Sequence, residues 1–435
     1  MQERSWAHGR HRLLRMLAVS AAGALVAIAC GGTTSGAGPQ AANGTPITLG
    51  VIDDSGPSSA IEGTELRTNT DLAINQANAA GGIHGHPLKA IYVDPKGDAA
   101  QSLSLAQQLV QQQNVDVLVG GVFSPECLGI EGLVARLQIT YLPSTGCLSE
   151  AFTAAQCNRY SFRVSPAGRQ SVFPLSQYIV QKYGKNWAIV YSDYAYGQSQ
   201  YAAYKLGLAQ VGAQITKAIA IPLNETNVTP YITQIPTDGS INGVINTQAG
   251  ADVLRSLGVM QQFGFGKTIP VVGVFGAERY AGQGGYPDVV NGSIAFTNAF
   301  SDTPGDNKYD LDYHKAFRAQ LAKEDATIQS TLGGPANGFP GISGYQAYTT
   351  LNALKLAMIA SNFTGKADTD KLISALEKVK APQGPDFPAG AFQMSKSDHQ
   401  GSMTGYIAQI NGKRETLLAT IPPDKVPPIG TCQVK

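Results

Sequence analysis

The chain has 435 residues, of which 43% are hydrophobic and 14% charged, with a formal net charge of +1. So even a balance offers no basic face to neutralise phosphates, and a nucleic-acid partner is not expected. The length exceeds what one hydrophobic core usually serves, so two lobes are expected.

The first element is a leader. Arg4, Arg10, Arg12 and Arg15 precede an apolar run of 14 residues, Met16 to Ala29. The run is too short for an ordinary spanning helix, and its basic start and small-residue end read as an export signal over residues 1–29. It ends in "AIAC", which resembles a bacterial lipobox and makes Cys30 the expected site of lipidation. Residues 30–46, poor in anything to bury, then read as a flexible tether from a lipid anchor. Four cysteines remain, Cys127, Cys147, Cys157 and Cys432, and allow three connectivities. A Cys147–Cys157 bridge, closing a short loop, is favoured.

After residue 46 strands and helices alternate. Apolar runs at 47–53, 88–94, 115–121 and 139–145 read as strands. Between them lie helices from Ser59 to about Ala79, over 98–113 and over 124–138. Ser59 and Glu62 have the S-x-x-E spacing of a capping box, and Gly81–Gly82 can end that helix. A second cycle follows, with helices at 172–184, 197–212 and 251–264. Its strands lie at 186–193, 213–221, 241–248 and 268–274. The chain then returns towards the first lobe near 292–300. Late helices cover 344–360 and 368–380, a hairpin turns at Asn411-Gly412, and a Pro-rich tail covers 421–430. Repeated β-α units imply parallel sheets covered by helices on both faces.

Several segments, "LGVIDDSGPSSAIEG", "AINQANAAGGIHGHPLKAIYVDPKGD", "VDVLVGGVFSPE", "NWAIVYSDYAYGQSQ" and "GYQAYTTLNAL" among them, resemble periplasmic leucine/isoleucine/valine-binding proteins. The resemblance covers most of residues 46–410. It implies a type I periplasmic binding fold: two Rossmann-like lobes, three hinge crossings and a cleft between the lobes. Lobe 1 would comprise 47–165 plus 297–403, and lobe 2 would comprise 166–296 plus 404–435. It implies capture of a small amino acid, amide or carboxylate for an ABC permease and ATPase; a monomer is expected, without cofactor, and no Cys/His spacing points to a metal. A sensor that presents solute to a membrane signalling partner is the alternative.

Ligands of open α/β sheets bind at the carboxyl ends of strands, where helix N-termini point. Ser124 falls there after Phe123, with Pro125 at the favoured first helical position, and can hold a carboxylate. The "PSTG" turn adds Ser144, Thr145 and Gly146, the last where the family usually has a threonine. Tyr196 matches the family's cleft-facing tyrosine, and Gln248 ends another strand. Ile61 replaces a family aromatic. Phe275 replaces the acid that pairs with a ligand ammonium, with Glu278 three residues on as its possible substitute. A small carboxylate, amide or aromatic acid is therefore expected ahead of a free branched-chain amino acid.

Enzyme chemistry finds little support. GxSxG is absent, and "GFGKT" has Gln261 where a phosphate loop needs its first glycine. "HGH" at 84–86 reads as a turn rather than a metal site, and Asp53–Asp54 as strand-end solvation.

Overall fold

Strand β1 (Ile47–Ile52) is buried along nearly its whole length, as the central strand of a helix-covered sheet must be. The computed structural model describes residues 42–57, 59–153, 157–274, 287–299, 308–412 and 414–427. The leader, Cys30, Phe275, Glu278 and Cys432 lie outside them.

Helix α1 (Ala60–Ala79) follows β1. Then come β2 (Leu88–Val93), α2 (Ala99–Gln111), β3 (Val117–Gly120), α3 (Ser124–Leu137) and β4 (Tyr141–Leu142). The strands pair in parallel in the order β2-β1-β3-β4. Their side chains alternate between two cores. Val117 and Val119 join Ile47, Leu49 and Val51 beneath α1, while Leu118 joins Ile52 and Tyr141 beneath α2 and α3. Asp98 caps α2, its carboxylate accepting from the N–H groups of Ala100 (2.8 Å) and Gln101 (3.0 Å). The expected capping box at α1 does not form: Ser59 precedes the helix without a side-chain cap bond.

The second lobe repeats the plan. Helix α4 (Gly168–Tyr183) leads to β5 (Asn186–Ser192), α5 (Ala195–Gln210) and β6 (Gln214–Ile221). A short turn, α6 (Thr229–Ile232), precedes β7 (Gly243–Thr247), α7 (Gly250–Gln262) and β8 (Val271–Val272). The parallel order is β6-β5-β7-β8. Trp187, Ile189 and Ile245 face α4 and α5; Ala188, Val190 and Val244 face α6 and α7.

The chain then crosses back and forth. Strand β9 (Ile294–Thr297) lies against lobe 2. Helices α8 (Lys308–Leu321), α9 (Ala326–Thr331), α10 (Gly334–Asn337), α11 (Gly341–Ser361) and α12 (Thr369–Leu376) belong to lobe 1, as does the small sheet β10 (Lys380–Ala381), β11 (Phe392–Met394) and β12 (Gly401–Met403). Strands β13 (Gly405–Asn411) and β14 (Arg414–Ile421) form the expected hairpin and pair antiparallel with β9 in the order β14-β13-β9. The chain thus passes between lobes after Arg163, after Thr297 and after Met403. These passages hold one another: Arg163 N donates to His399 O (3.0 Å), Gly401 N to Arg163 O (2.6 Å) and Asn298 Nδ2 to Thr404 O (2.9 Å).

Candidate functional site

The two parallel sheets point their carboxyl ends at a shared cavity, where ligands of open α/β sheets bind. Lobe 1 lines it with Glu62, Val122, Phe123, Ser124, Gly146, Cys147, Leu148 and Ser343, and lobe 2 with Tyr194, Tyr196, Leu223, Ala249 and Gly250. Phe123 and Ser124 follow β3, Tyr194 and Tyr196 follow β5, and Ala249 and Gly250 follow β7, so the starts of α3, α5 and α7 all meet it. The first N–H groups of a helix have no partner within it, and with the helix dipole they favour an acceptor or anion.

The start of α3 is held from below. Phe123 is the capping position and Ser124 the first helical residue, so Ser124 does not cap the helix as its place in the sequence suggested. Its hydroxyl oxygen accepts from Ser149 N (3.2 Å), which leaves its own proton to donate. The Glu126 carboxylate accepts from Val122 N (2.9 Å), Phe123 N (3.2 Å) and Ser102 Oγ (2.5 Å). Burial pushes that carboxyl up to about 7, with Asp54 adding to the rise.

The neighbouring loop is clamped as firmly. Gly146 has φ +55°, and a Cβ there would collide with the carbonyl oxygen of Val122, so a β-branched residue cannot take this place. Cys147 N donates to Val122 O (3.0 Å). Arg163, fully buried at the first passage between lobes, donates through Nη1 to the carbonyls of Cys147 and Ser149, both at 2.6 Å. Its Nε donates to Gln400 Oε1 (2.7 Å) and its Nη2 to Thr153 Oγ1 (2.8 Å). A disulfide joins Cys147 to Cys127, with Cα atoms 6.0 Å apart, and not to Cys157. Strands β3 and β4 are neighbours, so the first turn of α3 and the loop after β4 lie side by side, within bridging range. Cys157 lies beyond the 3-10 turn Glu150–Thr153 and is bonded to another cysteine.

Residues 46–415 match the family model described as periplasmic binding protein. The chain belongs to the periplasmic binding protein family. A Leu/Ile/Val-binding protein homologue of Brucella melitensis is 22% identical over 356 residues, covering 80% of this chain and 84% of its own. An ABC transporter substrate-binding protein from Sphaerobacter thermophilus superposes with a TM-score of 0.73 at 22% identity, covering 88% of this chain and 99% of that one. A solute-binding protein of an ABC transporter from Rhodopseudomonas palustris, solved in complex with 3,4-dihydroxybenzoic acid, superposes with a TM-score of 0.75 at 18% identity, covering 88% and 99%. The expected type I fold and the leucine/isoleucine/valine-binding relationship therefore both hold.

In this periplasmic binding protein the lobe 2 wall is aromatic. Tyr194 and Tyr196 stand with ring centroids 5.8 Å apart, and the Tyr196 hydroxyl lies 3.4 Å from Thr247 Oγ1. Burial raises both phenols, Tyr196 to about 12, and the negative charge of Glu62 across the cleft adds to each rise.

Of the residues singled out from the sequence, Phe123, Ser124, Gly146 and Tyr196 line the cavity together. Ser144 and Thr145 are buried under α11 instead: Thr145 Oγ1 donates to Gln346 Oε1 and Thr350 Oγ1 to Ser144 O, both at 3.4 Å. Gln248 is fully buried and is not among the lining residues, with neither side-chain polar atom bonded within the protein. Ile61 packs against the lobe 1 core. Glu62 and Ser343 went unread as site residues. Glu62 sits in the first turn after β1, at the cleft end of the sheet, so its position in the alternation was the available signal. Ser343 comes from a helix far along the chain and gave none. Among the described residues no His/Cys/Asp/Glu cluster could hold a metal, and no helix is long and apolar enough to cross a membrane.

Proposed function

We propose that this protein is the extracytoplasmic receptor of an ABC importer and captures a small carboxylate in the cleft. An aromatic acid or amide fits ahead of a free branched-chain amino acid. The observation that carries the reading is the pairing of an acceptor site with aromatic walls. The start of α3 and the Ser124 hydroxyl can hold a carboxylate, while Phe123, Tyr194 and Tyr196 offer rings to a flat body. The Rhodopseudomonas neighbour's dihydroxybenzoic acid supports the same chemistry. The solute is handed to a permease and its ATPase, and lipid on Cys30 keeps the receptor at the membrane surface. Lobes 47–165 plus 297–403 and 166–296 plus 404–435 close on the solute, since a ligand touching both favours the closed state.

Mass spectrometry of solute co-purified with the native protein, followed by calorimetry, tests this. Aromatic acids should bind more tightly than leucine, isoleucine or valine. Tight binding of leucine with none of benzoate would overturn the ligand assignment. An acyl mass on the Cys30 peptide, lost in Cys30→Ser, would carry the anchor; its absence would remove it.

A further inference from the structure

Resting on that reading of the cleft, we infer that Glu62 and Ser343 form a second polar pole, which selects solutes carrying a hydrogen-bond donor, a hydroxyl or an ammonium, in addition to the acceptor held at Ser124. Glu62 lies in the first turn of α1, is only 4% exposed, and lines the cavity. One turn on, the Glu65 carboxylate accepts from Gly344 N (3.2 Å) in the first turn of α11. That bond clasps the two helices together and sets Ser343 on the same wall. Ser343 is fully buried and lines the cavity, and its hydroxyl oxygen has no hydrogen-bond partner in the protein. A buried hydroxyl left in that state costs free energy, and a solute polar group would relieve the cost.

Charge sets the sign of the pole. Among the described residues no Lys, Arg or His lines the cavity, while Glu62 does. A carboxylate has about four acceptor positions, so a bond to the protein leaves others for a solute. A solute with acceptors alone would turn like charge towards Glu62. A donor would instead form a charge-assisted bond there, stronger than a neutral one. Val122, Leu148 and Leu223 line the same cavity with apolar surface, which suits a solute with a hydrophobic body and two different polar ends. Dicarboxylates are disfavoured.

Calorimetry with two matched series tests the pole: 4-hydroxybenzoate against benzoate, and leucine against 4-methylpentanoate. The first series reads a hydroxyl and the second an ammonium. In whichever series binds, the donor-bearing member should bind about 10-fold or more tightly, the usual scale of a hydrogen bond to a charged group. Glu62→Gln should shrink that gap, and Ser343→Ala should narrow it in part. Melting curves would show that both variants fold. A gap that survives in folded Glu62→Gln, or the absence of any gap in the unaltered protein, overturns the inference. Binding confined to the leucine series fails the aromatic-acid reading and leaves Glu62 to be judged on that series. If neither series binds, the co-purified solute decides: one bearing no hydroxyl, amine or amide N–H overturns the inference, and one bearing such a donor near Glu62 upholds it.

Discussion

The ring of Phe123 meets the ring of Tyr194 edge-on across the cleft, with centroids 6.0 Å apart and planes at 75°. One ring precedes α3 in lobe 1 and the other precedes α5 in lobe 2, so the pair bridges the cleft. Edge-to-face pairs contribute about 0.5–1.5 kcal/mol beyond the area they bury. Phe123→Ala should weaken solute binding by about 10-fold through this pair and the lost wall together. A double-mutant cycle with Tyr194→Ala should give a coupling of about 1 kcal/mol. Additive losses would mean that the rings act separately.

The disulfide between Cys127 and Cys147 spans 20 positions of sequence and fixes the loop that carries Gly146 and Leu148 to the cavity. Closing a loop of that size in the unfolded chain is worth about 3 kcal/mol. Cys127→Ser with Cys147→Ser should lower the unfolding free energy by about that amount in urea titrations. Solute affinity should fall as well, because the loop loses one of its clamps. Unchanged affinity in the destabilised variant would place the bond's role in stability alone.

The α/β alternation was legible because buried parallel strands are continuous apolar runs, as in "VDVLVGG", and their helices carry their own stops. The start of α3 was legible too, since Ser124 and Pro125 follow directly on a strand. What stayed hidden depends on neighbours distant in sequence. Cys127 and Cys147 meet only because β3 and β4 pair. Ser144 and Thr145 were read as cleft residues, yet α11, some 200 positions on, covers them. Glu62 reads as part of a helix cap because its spacing to Ser59 is local, whereas its sharing of the cavity with Ser343 is not.

Arg163 ties the first passage between lobes to the cavity loop through its two bonds to the carbonyls of Cys147 and Ser149. Its planar fork also reaches Gln400 and Thr153, a geometry that the single ammonium of lysine cannot reproduce. Arg163→Lys should therefore behave almost as a deletion, destabilising the fold by about 2 kcal/mol or more as buried acceptors lose their donors. Thermal melts check the stability, and titration of the folded variant checks the affinity. A lysine variant that matches the unaltered protein in both would show that charge, not the fork, is what this position requires.

Glu131 gives the stability a pH dependence. It is fully buried in α3, neither carboxyl oxygen has a hydrogen-bond partner in the protein, and burial raises its carboxyl from 4.5 to about 9 against the weaker attraction of Arg163. The folded chain therefore keeps a proton at Glu131 over a range in which the unfolded chain has released it. Where the folded state binds more protons, stability falls as pH rises. The contribution is whole below 4.5, declines from there to about 9, and is lost above. One proton gives a slope of at most about 1.4 kcal/mol per pH unit. Glu126 and Asp53, both raised to about 7 chiefly by burial, steepen the decline on the acid side of neutrality. Glu131→Gln cannot ionise, so its unfolding free energy should drop less between about pH 5 and pH 8 than that of the unaltered protein, while Glu126 and Asp53 act equally in both. Urea titrations across that range measure the difference. Parallel curves for the two proteins would mean that Glu131 is ionised in the fold, and that the attraction of Arg163 outweighs the cost of burial.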